Sequence, residues 1–140
     1  MNPFQTRRGR RRAGTSTVEM AIVLPLLLMM LFGIGEFGIA FTRWQSLTNA
    51  TREGARVGVV FRSPCNAGTV TTQIDNTIQT FAATSGITAT ITTNVTGACG
   101  GVGTPLNVTT SVPHNFVLLP GLAGLPSTIN LNASSTMRNE

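Results

Sequence analysis

Charge is scarce through the C-terminal part of this chain. From Ser63 to Glu140 the only charged side chains are Asp75, Arg138 and Glu140. The net charge of +5 therefore does not belong to that part. Without a basic face to track phosphates, it is not expected to bind nucleic acid. Metal and catalytic constellations are missing as well. Two cysteines and one histidine at irregular spacing do not make a zinc site. Asp75 and His114 stand alone, with no Ser/His/Asp or Cys/His arrangement around them, so neither an enzyme nor a cofactor is expected. No repeat of fixed period is present, and no small-x-small cleavage site closes the apolar run near the N-terminus.

What the sequence does have is concentrated at its start. Five of its ten basic residues, Arg7, Arg8, Arg10, Arg11 and Arg12, fall within the first twelve positions. They precede a run from Met20 to Gly35 without a charge, which continues past Glu36 to Phe41. A stretch of that length can cross a bilayer, which takes about 20 residues. We place the span at about 18–41, with Phe37, Phe41 and Trp44 at an interfacial aromatic belt. Arginines before the run predict a cytoplasmic N-terminus and a C-terminal body outside. The core is too long for an ordinary secretory signal. The helical pattern also continues beyond it, through Leu47, Ala50, Gly54 and Gly58 at spacings of three and four. One helix over 15–62 is predicted, roughly 70 Å long at about 1.5 Å per residue. Pro25 can kink it, and Ser63-Pro64 ends it. The polar residues before it, 1–14, form a basic leader expected to be disordered or removed.

Residues 63–140 read as a small extracytoplasmic head. "TVTTQIDNTIQTFAAT" repeats Val70, Ile74, Ile78 and Phe81 at helical spacing. Three segments alternate instead: Ile87 to Val95, Leu106 to Val112, and Ile129 to Ala133. The expected class is α+β, a long N-terminal helix followed by a short helix and a three-stranded antiparallel sheet. "VLLPGLAGLP" (117–126) is an apolar loop that either packs on the sheet or meets a partner. If the head is exported, Cys65 and Cys99 are expected to form a disulfide. Closing such a loop contributes roughly 3–4 kcal/mol in the chain-entropy model.

Glu19 stands at the entrance to the apolar run, five residues after Gly14. This Gly-x-x-x-x-Glu spacing, with arginines before it and an apolar helix after it, resembles the class III signal of type IV pilin-like proteins. The resemblance implies that a prepilin peptidase cuts between Gly14 and Thr15 on the cytoplasmic face. Glycine suits such a site because it offers no side chain to obstruct an extended peptide. The cut removes all five leader arginines and brings the net charge from +5 to zero. It also implies a partner for Glu19, the new N-terminal ammonium of an adjacent subunit. A carboxylate at membrane depth needs one. Snorkelling to headgroups, or helix capping near Thr15 or Ser16, is the plainer use of the same residue.

More of the chain, "GTSTVEMAIVLPLLLMMLFGIGEFG" and then "NATREGARVGVV", is similar to the TadE-like proteins of tight-adherence (Flp, Tad) pilus systems. The shared features are Val18-Glu19, Leu24-Pro25-Leu26 and Gly54-Ala55-Arg56; the closing "LNASSTMRNE" resembles the family's last strand. The family implies a pilus subunit or assembly pseudopilin of the inner membrane. Its partners would be the peptidase, other pilin or pseudopilin subunits and a Tad-type assembly platform. Thr15 after the scissile glycine, and a head too large for the short major pilins, favour a minor pilin. The alternative is a permanent membrane-anchored scaffold that never enters a filament.

Three further readings stay open at this point. Glu36 either reaches water at the outer interface or forms a buried pair between subunits. Gly54, Ala55 and Gly58 form a small-residue face for close helix approach, against either another subunit or the chain's own head. Arg56 either binds a carbonyl or carboxylate of the head or faces solvent.

Overall fold

The computed structural model describes residues 10–60, 62–117, 124 and 126–140, with side chains from Ser16 onward. Residues 1–9 of the expected leader and most of the 117–126 loop lie outside the described residues. The rest is α+β. Helix α1 spans Arg10–Gly58 and α2 spans Ala67–Thr84. Strands β1 (Thr92–Thr96), β2 (Pro105–Asn115) and β3 (Thr128–Arg138) form one antiparallel sheet in the order β1-β2-β3.

α1 is 49 residues long and carries Pro25 within it. It begins inside the expected leader, so residues 10–14 are helical rather than irregular, and it closes at Gly58, four residues before the expected end. Asn66 caps α2, its side-chain oxygen accepting from the Thr69 amide at 3.2 Å and satisfying one of the helix's free N–H groups. The buried stripe of α2 is Val70, Ile74, Ile78 and Ala82. Phe81, expected on that stripe, is exposed instead, because the buried side repeats every four residues and reaches the next position.

β1 is shorter than the alternation from Ile87 suggests. Gly86 adopts φ +82°, and the Ile87 amide turns back to the Ala82 carbonyl at 2.9 Å. Ile87 and Ile91 are thus buried as anchors ahead of the strand, not as ladder members. Along β2 the inward side alternates Leu106, Val108, Thr110, Val112 and His114, all buried. β3 pairs with β2 along its whole length, from Pro105↔Arg138 to Asn115↔Thr128.

The β2–β3 hairpin lies along α1, with β2 antiparallel to it. A Cβ on Gly58 would touch Leu106; Thr51 meets Thr110, Arg43 meets His114, and Glu36 meets Val117. The two rises agree. Helix residues 58 to 36 cover about 33 Å at about 1.5 Å each, and strand residues 106 to 117 about 36 Å at about 3.3 Å each. α2 packs on α1 through Ile74 and Ile78, so the head's core gathers around the second half of α1 alone.

Candidate functional site

The first half of α1 is bare. Val18, Met20, Ile22, Leu26, Met30, Ile34 and Phe37 are all exposed large apolar side chains. Among the described residues α1 is the one helix long and apolar enough to cross a membrane, and its apolar window is not buried by the rest of the protein. Glu19 is exposed on this half. Glu36 lies 17 positions further, about 25 Å along the axis. The Gly14-Thr15 bond falls within the helical backbone near the start of α1. An extended peptide for a protease cleft would therefore require the first turns of α1 to unwind.

Further along, the helix surface changes character. Ala40, Leu47, Ala50, Ala55 and Val59 are buried, as is Thr51. Gly54 and Gly58 form the closest approach to the head. A Cβ on Gly54 would stand 2.6 Å from Ile78 Cγ1, and one on Gly58 2.6 Å from both Ile74 Cδ1 and Leu106 Cδ2. The small-residue face therefore meets the chain's own head. Arg56 does not belong to that face. Its side chain is 72% exposed and bridges Glu53 one turn back, at 2.7 Å. The Arg56 guanidinium holds the Glu53 carboxyl below its ordinary range, chiefly by donating hydrogen bonds. The pair is solvent-exposed, so it contributes little to stability.

Polar contacts hold the hairpin along the helix. Thr51 donates its hydroxyl proton to the Leu47 carbonyl at 2.7 Å, so Thr110 must donate to Thr51 across the 2.6 Å buried contact. Trp44 Nε1 donates to the Asn132 carbonyl on β3 at 3.0 Å. Arg43 Nη1 stands 3.1 Å from His114 Nδ1. Arginine can only donate, so Nδ1 is the acceptor and the ring is neutral with its proton on Nε2. Burial, first, and the Arg43 charge, second, lower the His114 pKa, while Glu36 opposes them. Glu36 Oε1 accepts the Val117 amide at 2.7 Å.

The head's opposite end is closed covalently. Cys65 and Cys99 form a disulfide with their Cα atoms 5.8 Å apart, tying the segment after α1 to the β1–β2 connection. Asn139, nearly buried, adds hydrogen bonds from its amide to the Gly97 carbonyl and to Thr104 Oγ1, each 3.0 Å. Among the described residues no three His, Cys, Asp or Glu side chains form a group that could hold a metal ion.

The contacts of Arg43, Thr51 and Trp44 with the hairpin are structural features that the sequence reading missed. One signal was available: His114 continues the inward alternation of Leu106 to Val112 and so had to be buried against something. Nothing local pointed to Arg43 as its neighbour.

Residues 14–56 match the family model described as TadE-like protein. The match takes in most of α1, both its bare half and most of the half that carries the head. Comparisons with curated proteins and with solved structures gave no match.

Proposed function

We propose that this chain is a subunit or assembly pseudopilin of a Tad-type pilus, anchored in the inner membrane by the first half of α1 before assembly. One observation carries the reading: a single helix, matched to the TadE-like family over 14–56, leaves its apolar half bare and gathers the head on its other half. A bare apolar helix needs lipid or other helices around it, and a pilus subunit meets both in turn. A prepilin peptidase cuts between Gly14 and Thr15 after the leader unwinds from α1. Glu19 then docks on the N-terminal ammonium of a neighbouring subunit. The head stays outside, and the chain acts as the substrate of another protein's chemistry rather than as a catalyst.

The test is the intact mass of the protein from cells with and without the peptidase, for the wild type, Gly14→Arg and Glu19→Ala. Wild-type chain should begin at Thr15 only when the peptidase is present, and Gly14→Arg should stay full-length. Glu19→Ala should be cut normally yet be depleted at least tenfold from sheared pili. Full-length wild type in both strains removes the processing step. Undiminished Glu19→Ala in pili removes the docking charge.

A further inference from the structure

We infer that the loop end of the β2–β3 hairpin, at Phe116 and Val117, rests in the outer boundary of the same bilayer that α1 spans. The head then stands on the lipid rather than being held above it by a length of helix. This rests on the membrane reading of α1 given above.

The geometry begins with Glu36. If the hydrocarbon core starts just past Glu19, a thickness of about 30 Å ends roughly 20 residues along the helix, near Ile39. Glu36 therefore lies just inside the outer edge of that core. The Val117 amide donates to its carboxylate at 2.7 Å, which fixes the end of the hairpin at the same depth. The strand cannot ride higher, because His114, Thr110 and Leu106 are each matched to a successively later level of α1.

Chemistry at this end suits a place with little water. The Val117 amide is satisfied by Glu36 and the Phe116 amide by the Ser127 carbonyl at 2.9 Å. Backbone donors need such partners where lipid replaces water. Glu36 in turn accepts a hydrogen bond, as a carboxylate at membrane depth requires. The Val117 side chain is 84% exposed, and Phe37, beside Glu36 on the helix, is 68% exposed. From Phe116 to Pro126 the sequence has no side chain that is charged or able to hydrogen-bond. Single exposed apolar residues are ordinary on a soluble surface. Here they are continuous with the bare half of α1, and the Phe116 and Val117 amides between them are already paired.

The test uses the full chain in phosphatidylcholine–phosphatidylglycerol vesicles, spin-labelled at one introduced cysteine under non-reducing conditions. The three sites are Ile34→Cys, Val117→Cys and Val102→Cys. All three positions are exposed, so none disturbs the core, and one label per chain verifies that the native disulfide is intact. Collisions with oxygen, which favours lipid, are compared with those of a water-soluble nickel chelate. The expected oxygen-to-nickel ratio is highest at 34, intermediate at 117 and lowest at 102, with 117 at least threefold above 102. A ratio at 117 equal to that at 102, with 34 still protected, overturns the inference, leaves the span intact and gives the hairpin end to water or a protein partner. Equal ratios at all three sites overturn the membrane reading as well.

Discussion

Ile22 and Ile74 carry the same side chain, yet one is 72% exposed and the other fully buried. They belong to the two regimes of this molecule, the bare half of α1 and the half wrapped by the head. Hydrophobicity does not separate these regimes. The bare half is the more apolar, with exposed large side chains such as Ile22, Leu26, Met30 and Ile34, as suits a helix whose surroundings are equally apolar. The wrapped half uses Ala50, Gly54, Ala55 and Gly58 where α2 and β2 must come close, and places Arg43, Trp44 and Thr51 where the hairpin needs directional contacts. The bare half has no neighbour in the described head, and the wrapped half has fixed ones.

The largest break in that comparison should come from cutting the same isoleucine down in each half. Ile74→Ala empties a site shared by Gly54, Gly58 and the sheet, and should destabilise the head by about 3 kcal/mol. Ile22→Ala should change head stability by less than about 0.5 kcal/mol, since nothing in the head touches it. Urea unfolding of the full chain in detergent micelles measures both, followed by emission of Trp44, the one tryptophan and a donor to β3. Equal losses from the two changes would mean that the halves are not energetically distinct. The glycines give a smaller, sharper contrast. Gly58→Leu drives new atoms into Ile74 and Leu106 and should cost about 2 kcal/mol through overpacking. A Cβ at Gly38 meets nothing within 4 Å, so Gly38→Leu should leave the same unfolding midpoint in place.

The wrapped half was also the harder to read from sequence. Local periodicity disclosed α1, α2 and the longer strands, since each records its buried side in its own residues. Alternation overran the start of β1, because Ile87 to Ile91 is buried with an apolar rhythm but spends its first amide closing α2. A three-residue step from Ile78 points to Phe81, whereas the structure keeps the four-residue step and buries Ala82 there. The small-residue face at Gly54 and Gly58 was legible as a close approach. Its partner was not, since neither glycine records what stands opposite. Arg43 and His114 are separated by 71 positions, and Thr51 and Thr110 by 59. No pattern within either segment encodes those meetings; they follow from laying a strand of about 3.3 Å rise beside a helix of about 1.5 Å rise.

The Arg43–His114 contact offers the finest way to sharpen the comparison, because it belongs to the wrapped half and titrates. In the folded protein His114 accepts from Arg43 and is neutral, and its pKa lies below the ordinary histidine value through burial and the Arg43 charge. Glu36, the other charge acting on the ring, pulls the opposite way without reversing the shift. The unfolded chain therefore takes up the proton first as the solution is acidified. Stability should be level above the unfolded histidine pKa of about 6.5 and decline below it, until the folded ring is itself protonated. Urea midpoints at pH 7.5 and pH 5.5, again read through Trp44, should be higher at pH 7.5. His114→Gln keeps an acceptor for Arg43 but cannot titrate, so most of that difference should disappear. A variant with the full wild-type pH dependence would place the titrating group elsewhere, and a wild type more stable at pH 5.5 would reverse the sign argued here. Because the bare half contributes no histidine, Ile22→Ala should keep the wild-type slope unchanged while Ile74→Ala lowers both midpoints together.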